Sequence, residues 1–285
     1  MSEAGREKRA PGRVKAVTSL SNPIIKDIRA LWLKKHRDRD RAFIAEGAEA
    51  IRQALDAGWT IRTLLCATAE RDAVMEKIAA RTIAAGGLVL EVGNKILSTV
   101  AHRENPQGLV GVFEQRYQPL DSIRPARGDV WLALDRVRDP GNLGTIIRTV
   151  DAVGAKGIIL VGACVDPFSV EAVRATMGSL FSIPIARAEE SAFLSWRRSF
   201  SGLTVGTHME GAEDFRVPDY AAQPVLLLMG NEKHGLSEPL SHNCDRLVRI
   251  PQAGKAESLN LAVAAGIMLY EARRAVFPTE VDRAS

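Results

Sequence analysis

Two periodicities alternate along this chain. Apolar residues recur at helical spacing at Ile24, Ile25, Ile28, Leu31 and Trp32, behind an Asn22 suited to cap a helix and a Pro23 suited to its first turn. The opposite face of that helix is basic. A short apolar run over 42–45 predicts a strand, Glu46-Gly47 opens a helix through Leu55 that ends at Gly58, and 61–67 predicts the next strand. A helix over 71–85, strands over 88–91 and 108–113, and a short helix around Ile96 complete a small α/β unit with helices packed on a sheet.

Residues 115–129 hold two prolines and little apolar content, and so predict a linker. From Val130 the pattern changes. Near-continuous apolar strands are predicted over 130–134, 157–161, 182–186, 203–208, 225–229 and 247–250, with helical patterns between most of them. Strands apolar on both faces signal a parallel sheet covered on both sides. A last helix is predicted over 258–276, with Ser258 as its N-cap. The expected layout is a flexible basic arm over 1–17, a first domain over 18–114, the linker over 115–129, a second domain over 130–278 and a tail over 279–285.

Composition narrows the class without choosing a function. Of 285 residues, 46% are hydrophobic and 25% charged, so neither a disordered chain nor a membrane protein is suggested. No apolar run approaches the ~20 residues that span a bilayer. The first residues lack the apolar stretch of a secretory leader, and a cytoplasmic location is expected. Cys66, Cys164 and Cys244 are odd in number, far apart and without histidines at ligand spacing, so buried or idle thiols are expected rather than a disulfide framework or a metal site. Net charge is +4, and its distribution is uneven: Lys26, Arg29, Lys34, Lys35, His36, Arg37, Arg39 and Arg41 gather between the first helix and the strand after it. From charge alone this is a solvated helix face or a surface for a polyanion.

The candidate chemistry lies at three strand ends. The segments are Asp139-Pro-Gly-Asn-Leu-Gly-Thr-Ile-Ile-Arg148, Met229-Gly-Asn-Glu-Lys-His-Gly-Leu-Ser237 and Ile250-Pro-Gln-Ala-Gly-Lys-Ala-Glu-Ser-Leu-Asn260. Open α/β sheets place ligand sites at the carboxyl ends of their strands, so three such ends argue for one composite site. The first segment, a Pro-Gly turn leading into a helix, predicts unpaired N–H groups able to hold an anion. Its spacing is not the G-x-G-x-x-G of a dinucleotide fold.

Together these segments resemble the three signature motifs of the SPOUT superfamily of RNA methyltransferases, in the TrmH/SpoU branch that acts on ribose 2′-hydroxyls. N-x-G-x-x-x-R is matched by Asn142, Gly144 and Arg148, G-N-E with G-L-S by Gly230 to Glu232 and Gly235 to Ser237, and I-P-x-x-G-x-x-x-S-L-N by Ile250 to Asn260. The resemblance implies a parallel-sheet SPOUT domain with a trefoil knot, its final helix packed on a second subunit to form a homodimer. It implies S-adenosylmethionine as cofactor, surrounded by Thr207, Gly230, Ile250 and Leu259. It also implies a catalytic set of Asn142, Arg148, Glu232, Ser258 and Asn260, with no metal. Arg148 would clamp the phosphate beside the target ribose and acidify its 2′-hydroxyl, Glu232 would support Arg148 or Asn142, and Asn260 would lie near Arg148. Gln252 stands where the family often has an apolar residue.

Looser similarities extend further. Arg174-Ala-Thr-Met-Gly-Ser179 and Pro184 resemble another family segment, with Gly178 as a helix-ending glycine and Arg174 within reach of RNA phosphate. Ser21-Asn-Pro, Glu46-Gly47 and Asn105-Pro-Gln-Gly108 resemble a small ribosomal-protein-like α/β domain, an RNA-binding module in which Lys26, Arg29, Lys34, Lys35 and Arg37 would meet phosphates. The implied activity is 2′-O-methylation of RNA, with ribosomal RNA favoured over transfer RNA. The alternatives are a transfer RNA methyltransferase and a non-catalytic RNA-binding or ribosome assembly factor of the same fold. A nucleotide-cofactor enzyme using only the first turn leaves the other two motifs unexplained.

Overall fold

Asn22 opens the first helix through the interaction its side chain predicts: Oδ1 accepts the Ile24 N–H at 3.0 Å, and Pro23 sits in the first turn. The computed structural model describes residues 12–69, 72–208 and 213–277. Residues 1–11 of the expected arm, Arg71 at an expected helix start and the tail 279–285 lie outside them. The chain divides into two units, one running to Gln115 and also holding Phe168–Ser182, the other holding Arg116–Pro167 and everything from Ile183.

In chain order the first unit contains β1 (Arg13–Val17), α1 (Pro23–Ala30), α2 (Lys34–Asp40), β2 (Ala42–Glu46), α3 (Ala48–Asp56), β3 (Ile61–Ala67), α4 (Ala73–Ala84), β4 (Leu88–Val92), α5 (Asn94–Ala101) and β5 (Leu109–Glu114). Its sheet runs β1-β4-β3-β5-β2, with β4 parallel to both β1 and β3 and β5 antiparallel to both β2 and β3. One face is covered by α1 and α5, whose Ile25, Ile28, Leu97 and Val100 join Ile44, Leu65, Leu90 and Val110 of the strands in a single core.

β1 corrects the expected arm. Residues 13–17 pair in register with Leu88–Val92, although only Val17 of the five is buried. An edge strand can be recruited by the free backbone groups of its neighbour, and then its own side chains carry little of the alternation that marks a strand.

The second unit begins with β6 (Val130–Asp135), α6 (Pro140–Ala152) and β7 (Gly157–Val161). The segment that follows carries α7 (Val170–Ala175), and it corrects the expected layout, because residues 168–182 belong to the first unit. There Phe168 and Phe181 pack with Phe43 at ring-centroid distances of 4.8 and 6.2 Å, and Trp59 Nε1–H donates to the Phe181 carbonyl at 2.9 Å. Aromatic burial of this size outweighs sequence adjacency.

The rest of the second unit comprises β8 (Ile185–Ala188), α8 (Glu190–Arg197), β9 (Leu203–Thr207), β10 (Glu213–Asp214), β11 (Val225–Met229), α9 (Glu238–His242), β12 (Arg246–Arg249) and α10 (Leu261–Ala272). Its sheet order is β10-β12-β9-β11-β6-β7-β8, and every pair is parallel. β8 starts three residues later than the expected 182, because Ser179–Phe181 form a 3-10 turn first. Helices α6 and α10 lie side by side and run the same way. Asn260 meets Asn142 at one end, and Arg273 Nε donates to the Val153 carbonyl at 3.0 Å at the other. Among the described residues no helix is long and apolar enough to cross a membrane.

Candidate active site

Because all strands of the second sheet are parallel, the ends of β9, β11 and β12 open on one edge, and the segments after them close a cleft of about 950 Å³. Thr207, Gly230, Ile250 and Leu259, the expected cofactor residues, all line it, as do Glu232 and Ser258. Asn142 and Asn260 border it through hydrogen bonds.

Gly230 is a buried glycine because the chain folds back on it. A Cβ there would overlap the Gly235 carbonyl carbon and the Leu236 nitrogen. The turn that causes this is closed by Asn231 N–H to Gly235 O and Gly235 N–H to Asn231 O, both at 2.9 Å. Asn231 fastens it further: Oδ1 accepts from Lys233 N–H at 3.0 Å, and Nδ2 donates to the Arg136 carbonyl at 2.7 Å. A second tie runs to the end of β6. Asp135, buried, accepts the Ser237 N–H at 2.9 Å and holds the Arg136 guanidinium through two bonds of 2.7 and 2.8 Å. Sequence reasoning did not single out Asp135 or Arg136. The available signal was a charged pair directly after an apolar strand.

Three predicted residues form one side-chain chain. Asn142 Nδ2 donates to Glu232 Oε1 at 3.4 Å, and Asn260 Nδ2 donates to Asn142 Oδ1 at 3.0 Å. Glu232 therefore supports Asn142. Asn260 lies against Asn142 too, whereas Arg148 stands six residues further along α6, about 9 Å along its axis. Arg148 is exposed and, among the described residues, makes no side-chain hydrogen bond or ion pair.

Two expectations are corrected here. Ser258 does not cap the last helix: the helix starts at Leu261, and Asn260 Oδ1 accepts the Ala262 and Val263 N–H groups at 2.9 and 3.3 Å. Residues 250–260 form no regular element before it, and Ser258 is left exposed on the cleft wall. The start of α6 is not an open anion site either, since the Asp139 carboxylate already accepts the Asn142 N–H at 2.6 Å.

The cleft suits the cofactor that the motifs imply. Met229, Val248 and Leu261 give an apolar slot, buried Gly230 leaves backbone within reach, and Glu232 and Glu257 offer carboxylates to a cationic ligand. Its volume falls in the range of roughly 300–1,000 Å³ typical of small-molecule sites. Gln252 adds a polar side chain to the wall. Burial pushes the Cys164 thiol up to about 11 and the Cys244 thiol up to about 12, so both stay protonated at neutral pH. Among the described residues no three His, Cys, Asp or Glu side chains gather as a metal ligand set.

In the first unit the basic residues separate into two kinds. Lys26, Arg29 and Lys35 are exposed, and Lys34 is exposed but pairs with Asp38 at 2.5 Å. Arg37 and Arg174 correct the expected RNA surface. Arg37 is buried, donating to the Leu31 and Trp32 carbonyls at 2.8 Å each, where the end of α1 leaves acceptors unpaired. Arg174 is committed to Glu46 Oε2 at 2.9 Å and to the Ala101 carbonyl at 2.5 Å.

Comparison with known proteins places this architecture. The profile of the SpoU rRNA Methylase family matches residues 129–270, and that of the MRM3-like substrate binding domain matches residues 22–111. The chain belongs to the SpoU rRNA methylase family. It is 37% identical over 254 residues to the 23S rRNA (uridine(2479)-2'-O)-methyltransferase of Streptomyces viridochromogenes, covering 85% of each chain. It is 30% identical to the 23S rRNA (guanosine(2553)-2'-O)-methyltransferase RlmP of Bacillus subtilis, covering 91% of this chain and 100% of that one. An rRNA methyltransferase of Sinorhizobium meliloti, solved with AdoMet bound, superposes with a TM-score of 0.89 at 58% identity, covering 94% of this chain and all of the other.

Proposed function

We propose that this protein transfers the methyl group of S-adenosylmethionine to a ribose 2′-hydroxyl of RNA, with ribosomal RNA as the substrate class. The observation that carries this reading is the cleft at three parallel strand ends, bordered by the Glu232–Asn142–Asn260 chain. S-adenosylmethionine, when bound, supplies an electrophilic methyl group. Thr207, Gly230, Ile250 and Leu259 hold the cofactor, and the closed 231–235 turn keeps that wall rigid. Rigid walls favour transfer because the reaction depends on orientation of hydroxyl against methyl.

Arg148 acts on the RNA side. Its guanidinium clamps the phosphate next to the target ribose, and its lack of an internal partner among the described residues leaves it available for that. Ser258 and Asn260 position the hydroxyl or the methionine end of the cofactor. Lys26, Arg29, Lys34 and Lys35 of the first unit take backbone phosphates.

The enzyme works as a cytoplasmic homodimer joined through its second unit. Val263 and Tyr270, each 52% exposed on the apolar helix α10, support that face as the dimer contact. Sedimentation of the wild type at twice the monomer mass is expected, and monomer at every concentration would remove the dimer. The family's trefoil knot belongs to the same unit: β12 pairs with β9 on the far side from β11, yet the segments after β11 and β12 line one cleft. A density map traced through 225–260 decides it.

The activity is tested by incubating the protein with labelled S-adenosylmethionine and either ribosomal or transfer RNA from a methylation-naive strain, and mapping label by resistance to alkaline cleavage. Label in ribosomal RNA, lost in Arg148→Lys with cofactor binding intact, is the expected result. Label in transfer RNA alone would move the substrate class, and cofactor binding without label in any RNA would leave a binding factor.

A further inference from the structure

His102 closes α5 in a left-handed conformation, φ 49°, with its N–H donated to the Ser98 carbonyl. Glycine takes that conformation freely and a residue with a Cβ does not, so a side chain kept there invites a reason. The imidazole lies flat on the Trp32 ring, centroids 3.8 Å apart and planes 7° from parallel. Trp32 is itself fixed, its Nε1–H donating to the Val100 carbonyl at 2.9 Å and its body packed on the core of the first unit. His102 is exposed, and among the described residues its ring makes no hydrogen bond.

The charge around this stack is positive. Arg29 and Arg174 both act on His102, and the Arg174 guanidinium stands 5.5 Å from the Trp32 ring centroid. Exposed Lys26 lies one turn before Arg29 on α1, and Arg103 follows His102. The acid bound to this group, Glu46, is half-buried with its side chain covered, and is paired with Arg174 at 2.9 Å and Arg103 at 3.6 Å.

We propose that the His102–Trp32 stack is a platform for one unpaired nucleobase of the RNA substrate, whose flanking phosphates are held by Lys26, Arg29 and Arg103. A diffuse basic patch would accept any polyanion, but a flat, backed aromatic face ringed by guanidinium groups fits a base and its backbone together. The inference rests on the RNA-binding reading of the first unit and adds that this unit recognises a single-stranded element rather than a continuous duplex.

The test uses the full chain and a short single-stranded oligoadenylate carrying one 2-aminopurine, with a fully paired duplex as the comparison probe. His102→Gly removes the ring while relaxing the backbone, so it is expected to fold at least as well as the wild type. His102→Phe keeps a flat ring. The wild type and His102→Phe should quench 2-aminopurine, and His102→Gly should lose the quenching and about tenfold in affinity for the single strand, with duplex and S-adenosylmethionine binding unchanged. Equal quenching and affinity in His102→Gly, or RNA binding by the wild type without quenching, overturns the platform. Methyl transfer by the wild type is scored in parallel, and its presence beside an indifferent His102→Gly defeats the platform alone and leaves the catalytic reading standing.

Discussion

Asn260 donates its side-chain amide to the Asn142 Oδ1 at 3.0 Å across 118 residues of chain. The same Asn260 caps α10 with its Oδ1. One residue thus starts a helix and ties the third motif to the first.

Those two duties separate by substitution. Asn260→Ala should lose about 1 kcal/mol of stability in urea denaturation, the usual cost of a missing cap. Asn260→Ser restores a cap but cannot donate an amide to Asn142, so it should regain most of that stability and still turn over about tenfold more slowly. Wild-type turnover in the serine variant would show that the link to Asn142 is structural only.

Gly230→Ala forces a methyl group into the Gly235–Leu236 backbone. The closed turn must move, which should weaken S-adenosylmethionine binding by at least about tenfold and cost about 2 kcal/mol. Titration calorimetry on the purified variant measures the first, and unchanged affinity would mean that the turn does not shape the cofactor wall.

Asp135→Ala removes the acceptor of the Ser237 N–H and strands the Arg136 guanidinium. The expected cost is about 2 kcal/mol, reduced from that of a fully buried pair because Arg136 is partly exposed. Hydrogen exchange should accelerate at residues 231–237 ahead of the rest of the unit. Uniform exchange across the unit would argue against a local clasp.

Arg37 and its neighbours on α1 should part company in RNA binding. Arg37→Ala leaves two carbonyls unpaired and should destabilise by about 2 kcal/mol without altering the salt dependence of binding. The double variant Lys26→Ala, Arg29→Ala should keep its stability and flatten the slope of log affinity against log salt by about one for each phosphate no longer neutralised. A salt slope that shifts in Arg37→Ala instead would return that residue to the interface.

Loss of water from the imidazole face stacked on Trp32, followed by the Arg29 and Arg174 charges, holds the otherwise exposed His102 ring below its ordinary range. The folded state then binds this proton less readily than the unfolded chain. Stability contributed here is full above the unfolded value of about 6.5 and is lost as the pH falls through the depressed folded value. His102→Phe should flatten that acid limb in denaturation curves taken from neutral to mildly acidic pH, and an unaltered limb would assign the loss to other groups.

The central strands of the second sheet, β6, β7 and β11, were legible because each is apolar on both faces: β7 and β11 start and stop where their residues 157–161 and 225–229 predict. β1 was not, since four of its five side chains face solvent and its place is set by the free edge of β4. The final helix shows an intermediate case. Its apolar run is plain in the sequence, but whether Ser258 or Asn260 caps it depends on which side chain can reach back to the first N–H groups.

For the site, the sequence alone determined which residue types stand at the three strand ends, because glycines, amides and a carboxylate behind apolar runs mark where a parallel sheet opens. Only the tertiary structure decided how they are used. It joined Glu232 to Asn142 and Asn142 to Asn260, withdrew Arg37 and Arg174 into internal bonds, and brought residues 168–182 into the first unit. Local spacing encodes what a segment can form. Which distant polar groups satisfy one another is settled when burial removes water and each group must take the partner that packing leaves within reach.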